Sequence, residues 1–230
     1  MSASTDYLTE SVAETARALG SVEGHLDERG FSSVLKRVLE ANPPEPNLSL
    51  EWELAPRLRG WHGRLGGFDL ALADGERIDS VVELKWSGQK DPDIRACAWD
   101  AIKLALTDAE QRSASSFMLA GAPQRIFADE LGGGALFKDG FWPSYGVFDD
   151  FAKEFAFWKQ DVKTHPAAAP FSFETKLIST ARFVRPGIHE EWELRLVKVS
   201  ALERIVDFTF DDLTQKYRLT YGEEGFDDAD

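Results

Sequence analysis

Between residues 48 and 120 the apolar period changes from two to about 3.6 and back to two, and that switch constrains the fold most. "LSLEWEL" (48–54) alternates strictly. Leu48, Leu50, Trp52 and Leu54 share one side and Ser49, Glu51 and Glu53 the other, which predicts a half-buried strand. "GFDLALA" (67–73) and "IDSVVELKW" (78–86) are two further strands, joined through a turn at Asp74 and Gly75. "DIRACAWDAIKLALTDAE" (93–110) then spaces Ile94, Cys97, Ala98, Ala101, Ile102 and Leu104 along one broad helical side. "SSFMLAG" returns to a buried strand. Strands, a helix and a strand in this order predict an α/β fold with a central mixed sheet flanked by helices.

The flanks extend that pattern. Apolar spacing predicts helices over 5–19 and 25–40, the second with a stripe of Phe31, Val34, Leu35, Val38 and Leu39. The prolines of "ANPPEPN" stop it. A short helix is expected near 122–131, a glycine-rich loop over 132–146, and a helix around Phe148, Phe151, Phe155 and Trp158 with its aromatics in the core. "THPAAAP" (164–170) reads as a linker. "SFETKLISTARFV" and "EWELRLVKV" beyond it read as antiparallel strands. The organisation expected is a core over 1–163, a β-rich extension or small subdomain over 171–222, and an acidic tail over 223–230.

With 43% hydrophobic residues, seven Trp and sixteen Phe, the chain has the material for a packed core. No run of 18 apolar residues occurs, so no membrane span is expected. The acidic N-terminus lacks the basic and apolar regions of a secretory signal, which makes the cytoplasm the expected location. The single Cys97 excludes a disulfide framework within the chain and a clustered-thiol zinc site. His25, His62, His165 and His189 are too scattered for a histidine zinc site. Gly-x-Ser-x-Gly is absent, and the glycines of 132–146 carry no phosphate-binding signature.

Three charges interrupt the apolar strands: Asp69, Glu83 and Lys85. An unpaired buried charge is expensive, so each needs a partner or a task. Strand parity puts Glu83 and Lys85 on one face, about 6.6 Å apart, and a tight hairpin brings Asp69 beside them. Such a trio suits phosphodiester hydrolysis. Asp69, Glu83 and the backbone carbonyl of Leu84 supply hard oxygen ligands for Mg²⁺ or Mn²⁺, and the ion activates water. Lys85 positions that water and offsets charge on the phosphate.

"FDLAL…VVELKW" resembles the active-site pattern of the PD-(D/E)xK nuclease superfamily, which has the restriction-endonuclease-like fold. The resemblance covers about 25–120 and implies a metal-dependent nuclease acting on DNA or RNA, with Asp69, Glu83 and Lys85 as its catalytic residues. Phe68 stands where the motif has proline. Members often add an acid from a preceding helix, and Glu40 and Glu28 are the candidates. The competing local reading is a solvated Glu83–Lys85 pair on an edge strand with Asp69 capping a turn. At the level of function, the rival is a non-catalytic protein-interaction module that reuses the fold.

Nucleic-acid contacts fall to Arg57, Arg59 and Arg64, whose guanidinium groups match phosphate oxygens, and to His62 in the same "RGWHGR". The chain's 26 basic and 40 acidic residues give −14, which predicts weak intrinsic affinity for a polyanion, assisted by homodimer formation or a partner protein. Gln89, Asp100 and Lys103 follow the motif; helix-surface roles are favoured over a supporting shell around it.

Overall fold

The computed structural model describes residues 3–44, 47–54, 68–75, 77–88, 94–110, 114–128, 133–143, 168–170, 172–202, 205–211 and 216–220. Two helices, α1 (Ala3–Leu19) and α2 (Glu28–Ala41), precede strands β1 (Ser49–Leu54), β2 (Phe68–Asp74) and β3 (Arg77–Trp86). Helix α3 (Ile94–Glu110) leads into β4 (Ser115–Pro123) and the short α4 (Gln124–Ala128). A 3₁₀ turn at Gly133–Phe137 and β5 (Gly140–Pro143) come next. The chain closes with β6 (Ala168–Pro170), β7 (Ser172–Val184), β8 (Glu191–Ala201), β9 (Ile205–Asp211) and β10 (Lys216–Thr220).

Seven strands form one mixed sheet in the order β1-β2-β3-β4-β8-β7-β5. β2 and β3 are an antiparallel hairpin, whereas β3 and β4 run parallel from Ser80↔Ser115 to Trp86↔Gly121. A parallel neighbour requires a crossover, and α3 supplies it. The α/β class with helices on a mixed sheet is therefore as expected. β8 lies antiparallel to β4 from Ser116↔Val199 to Pro123↔Trp192, so residues far apart in sequence complete the sheet's centre. The antiparallel strands expected over 172–184 and 191–199 are β7 and β8, which pair with each other inside this sheet, and β10-β9-β6 form a separate three-stranded sheet.

The sheet's two faces carry two cores. Leu70, Leu72, Val82, Leu84, Phe117, Leu119, Leu194 and Leu196 pack with α1 and α2. Ala71, Val81, Met118, Ala120, Val197 and Val199 pack with α3 through Cys97, Ala98, Ala101, Ile102 and Ala105. Asp27 caps α2 by accepting from the Gly30 amide at 2.8 Å, which starts that helix three residues later than periodicity predicts. Ser4 and Ser80 hydroxyls, 2.6 Å apart, tie α1 to β3.

Two local expectations need correction. Phe68 and Leu54 pack with the α3 core, while Leu70, Leu72, Leu50 and Trp52 pack with the α1–α2 core. Simple alternation puts each group on one face. The switch occurs where Glu53 adopts φ 58, a left-handed conformation that re-aims Leu54 across from Phe68. The segment expected to be only a loop holds the 3₁₀ turn and β5, whose Trp142 indole donates to Thr175 at 2.9 Å. The aromatic helix expected near 148–158 lies outside the described residues.

Candidate functional site

The backbone ladder between β2 and β3 runs from Asp74↔Arg77 to Leu70↔Val82. One residue farther on, Asp69 Oδ2 accepts from the Leu84 amide at 2.6 Å. A carboxylate thus takes the place of a ladder carbonyl where the two strands part. Asp69 does bond inside the sheet, and the Leu84 amide is spent on it.

Glu83 is 4% exposed on the α3 face, with Lys85 half-buried beyond it. Two side chains from α3 meet them. Lys103 Nζ forms an ion pair with Glu83, and Asp100 Oδ2 stands 2.6 Å from Lys85 Nζ. Asp100 Oδ1 lies 3.7 Å from Lys103 Nζ, which closes an alternating chain Glu83–Lys103–Asp100–Lys85. The Lys103 ammonium also sits 5.0 Å from the centroid of the Phe68 ring. Glu83 and Lys85 are consequently neither a solvated pair nor on an edge strand.

The electrostatics follow from this closure. Burial pushes the Glu83 carboxyl well above the usual range, and the charges of Asp100 and Asp69 add to the rise, against the pull of Lys103. Burial alone would lower Lys85, but Asp100, Glu28 and the hydrogen bond to Asp100 outweigh it and raise the ammonium above its ordinary value. A lysine held as its cation is a poor proton acceptor.

Among the described residues, no group of three or more His, Cys, Asp or Glu side chains is arranged to hold a metal ion. This overturns the expectations of a metal-dependent nuclease, of a Mg²⁺-requiring phosphodiesterase and of a Mg²⁺ or Mn²⁺ cofactor. The physical reason is that Asp69 is turned onto the Leu84 amide and Glu83 onto Lys103. Ligation requires oxygen lone pairs facing a common point.

The remaining candidates separate. Glu28 Oε2 accepts from the Trp86 amide at 3.3 Å and acts on Lys85, so it reaches the end of β3. Glu40 does not; it is exposed and pairs only loosely with Lys36, at 3.9 Å within α2. Arg57, Arg59, His62 and Arg64 lie outside the described residues. Asp100 and Lys103 carry the cluster although helix-surface roles were expected for them. The available signal was their position in α3: apolar residues 97, 98, 101, 102, 104 and 105 surround them, leaving little polar face.

No family model, curated protein or solved structure matches the chain.

Proposed function

We propose that the chain is a non-catalytic protein-interaction module built on a reused PD-(D/E)xK scaffold, its central charges serving the fold. The observation that carries this reading is the internal neutralisation of Glu83 by Lys103 and of Lys85 by Asp100. Charges satisfied by one another leave little for a metal or substrate to engage. The placement of Asp69 and Glu83 on adjacent central strands, with α3 behind them, supports the scaffold reading. Phe141, 61% exposed on β5 at one end of the sheet order, is one exposed apolar residue available to a partner protein.

The test has two arms. Calorimetric titration with Mg²⁺ and Mn²⁺, on wild type and Asp69→Ala, is expected to give no saturable heat in either. A plasmid and oligonucleotide screen is expected to show no cleavage. Metal-dependent cleavage that disappears in Asp69→Ala would sink the proposal. In the second arm, a stoichiometric protein complex captured from the source cells should be lost with Phe141→Asp; retention of the complex removes β5 from the interface.

A further inference from the structure

Arg185 follows β7 and is 4% exposed, yet its flanks are open: Val184 is 57% exposed, and Pro186 and Gly187 form an exposed turn. Its Nη2 donates to the Gly24 carbonyl, at 2.5 Å, in the loop between α1 and α2. The guanidinium carbon stands 5.4 Å from the Trp192 ring centroid and 5.9 Å from that of Trp86. Those two indoles stack at 4.9 Å, and Phe31 continues the pile at 5.2 Å from Trp86. The cation is therefore held by rings and one carbonyl.

Two donors in this nest have no acceptor among the described residues. Arg185 Nε and Trp192 Nε1 are both buried and without a hydrogen-bond partner. The Trp86 indole differs, donating to the Leu26 carbonyl at 2.7 Å. Burial lowers the Arg185 pKa, and among the described residues no carboxylate forms an ion pair with it. Arginine remains protonated even so, and a buried cation without an anion is a costly arrangement.

We infer that Arg185 and Trp192 form a binding site for a carboxylate, entered between the Gly24 loop and the Pro186–Gly187 turn. A planar carboxylate has two oxygens and can accept from both free donors. Its single charge matches the single guanidinium. A phosphate dianion would bring surplus charge among these aromatic rings, near Glu28 on the Trp86 amide. The carboxylate belongs either to a small free acid or to an Asp or Glu side chain of another polypeptide.

The experiment uses the full ¹⁵N-labelled chain, with the Trp192 indole N–H resonance assigned through Trp192→Phe. Sodium acetate, sodium chloride and sodium phosphate are titrated at matched ionic strength. Acetate is expected to shift the Trp192 resonance saturably, with chloride and phosphate showing no comparable saturation. Arg185→Gln should abolish the response. Arg185→Lys, which keeps the charge but loses the planar fork, should retain a weakened one. Trp192→Phe, read on the Arg185 Nε–H resonance, should weaken acetate by about fivefold, as expected for one lost hydrogen bond. Should Arg185→Gln fail to fold, Arg185→Lys and Trp192→Phe decide the matter. N-acetyl-glutamate α-amide binding more tightly than acetate assigns the site to a polypeptide side chain; the reverse order assigns it to a small acid. Absence of saturation with acetate, or an equal response to chloride, overturns the site.

Discussion

Lys103 touches Glu83, Asp100 and the Phe68 ring, so its removal exposes what the buried cluster does for the fold. Lys103→Met keeps the stem and deletes the charge. Stranding the ionised Glu83 carboxylate in this way should destabilise the chain by about 3 kcal/mol, measured by urea unfolding at a pH above the raised Glu83 pKa. Glu83→Leu combined with Lys103→Met should recover most of that loss, because an apolar pair of similar volume often replaces a buried ion pair without penalty. A double variant no more stable than Lys103→Met would contradict the structural assignment. The pH response has a definite sign. A carboxyl raised in the folded state binds its proton more tightly there than when unfolded. Its contribution is fully present below the unfolded pKa and is lost as pH rises through the folded one. Stability should thus fall as pH rises above the ordinary carboxylate range, and Glu83→Gln should flatten that fall. Urea midpoints across pH for the two proteins check it; parallel profiles would show that Glu83 is not the source of the pH dependence.

At the scale of the element, β1 holds a local conflict. Glu53 sits at φ 58, where a branched-free but full-sized side chain is disfavoured by about 1 kcal/mol. The conformation persists because it turns Leu54 toward the α3 core while Trp52 stays with the other. Asparagine tolerates the left-handed region better, so Glu53→Asn should raise stability by about 0.5 kcal/mol. Thermal unfolding reads the change, and a lower midpoint would place the strain elsewhere. β4 meets a different constraint at Gly121. A Cβ there would stand 2.5 Å from Trp86 Cζ3 and 2.9 Å from Leu194 Cδ2, which is why the ring can lie against the strand. The same close approach leaves Trp86 free to stack on Trp192.

For the molecule as a whole, the decisive connection is β4 to β8. The N-terminal elements supply β1 to β4, but β4 is flanked on its far side by β8, and β8 by β7. Leu194, Leu196, Val197 and Val199 of β8 are fully buried and divide between the two cores. A chain ending at residue 163 would expose both cores along β4. It should lose cooperative unfolding while keeping part of its far-UV signal. A sharp urea transition in that fragment would show that the first four strands suffice. Within the described residues, no helix is long and apolar enough to cross a membrane.

The elements were legible in the linear chain. Periodicity located α1, α2, α3 and β1 to β4 within a few residues, because the side chains that alternate or recur along each segment are the ones that a neighbouring layer must bury. It also singled out Asp69, Glu83 and Lys85 as charges needing an account, since a lone charge in an apolar strand is expensive. What satisfies them depends on how distant elements pack. Asp69 finds an amide fifteen residues away on β3, and Glu83 and Lys85 find Lys103 and Asp100 on a helix that packs over them. The Arg185 nest is equally invisible in the linear chain, joining the α1–α2 loop, the end of β3 and the turn between β7 and β8. Local pattern specifies which face a residue takes, but the partner of a buried charge is set by which elements pack together, and that is a property of the closed sheet.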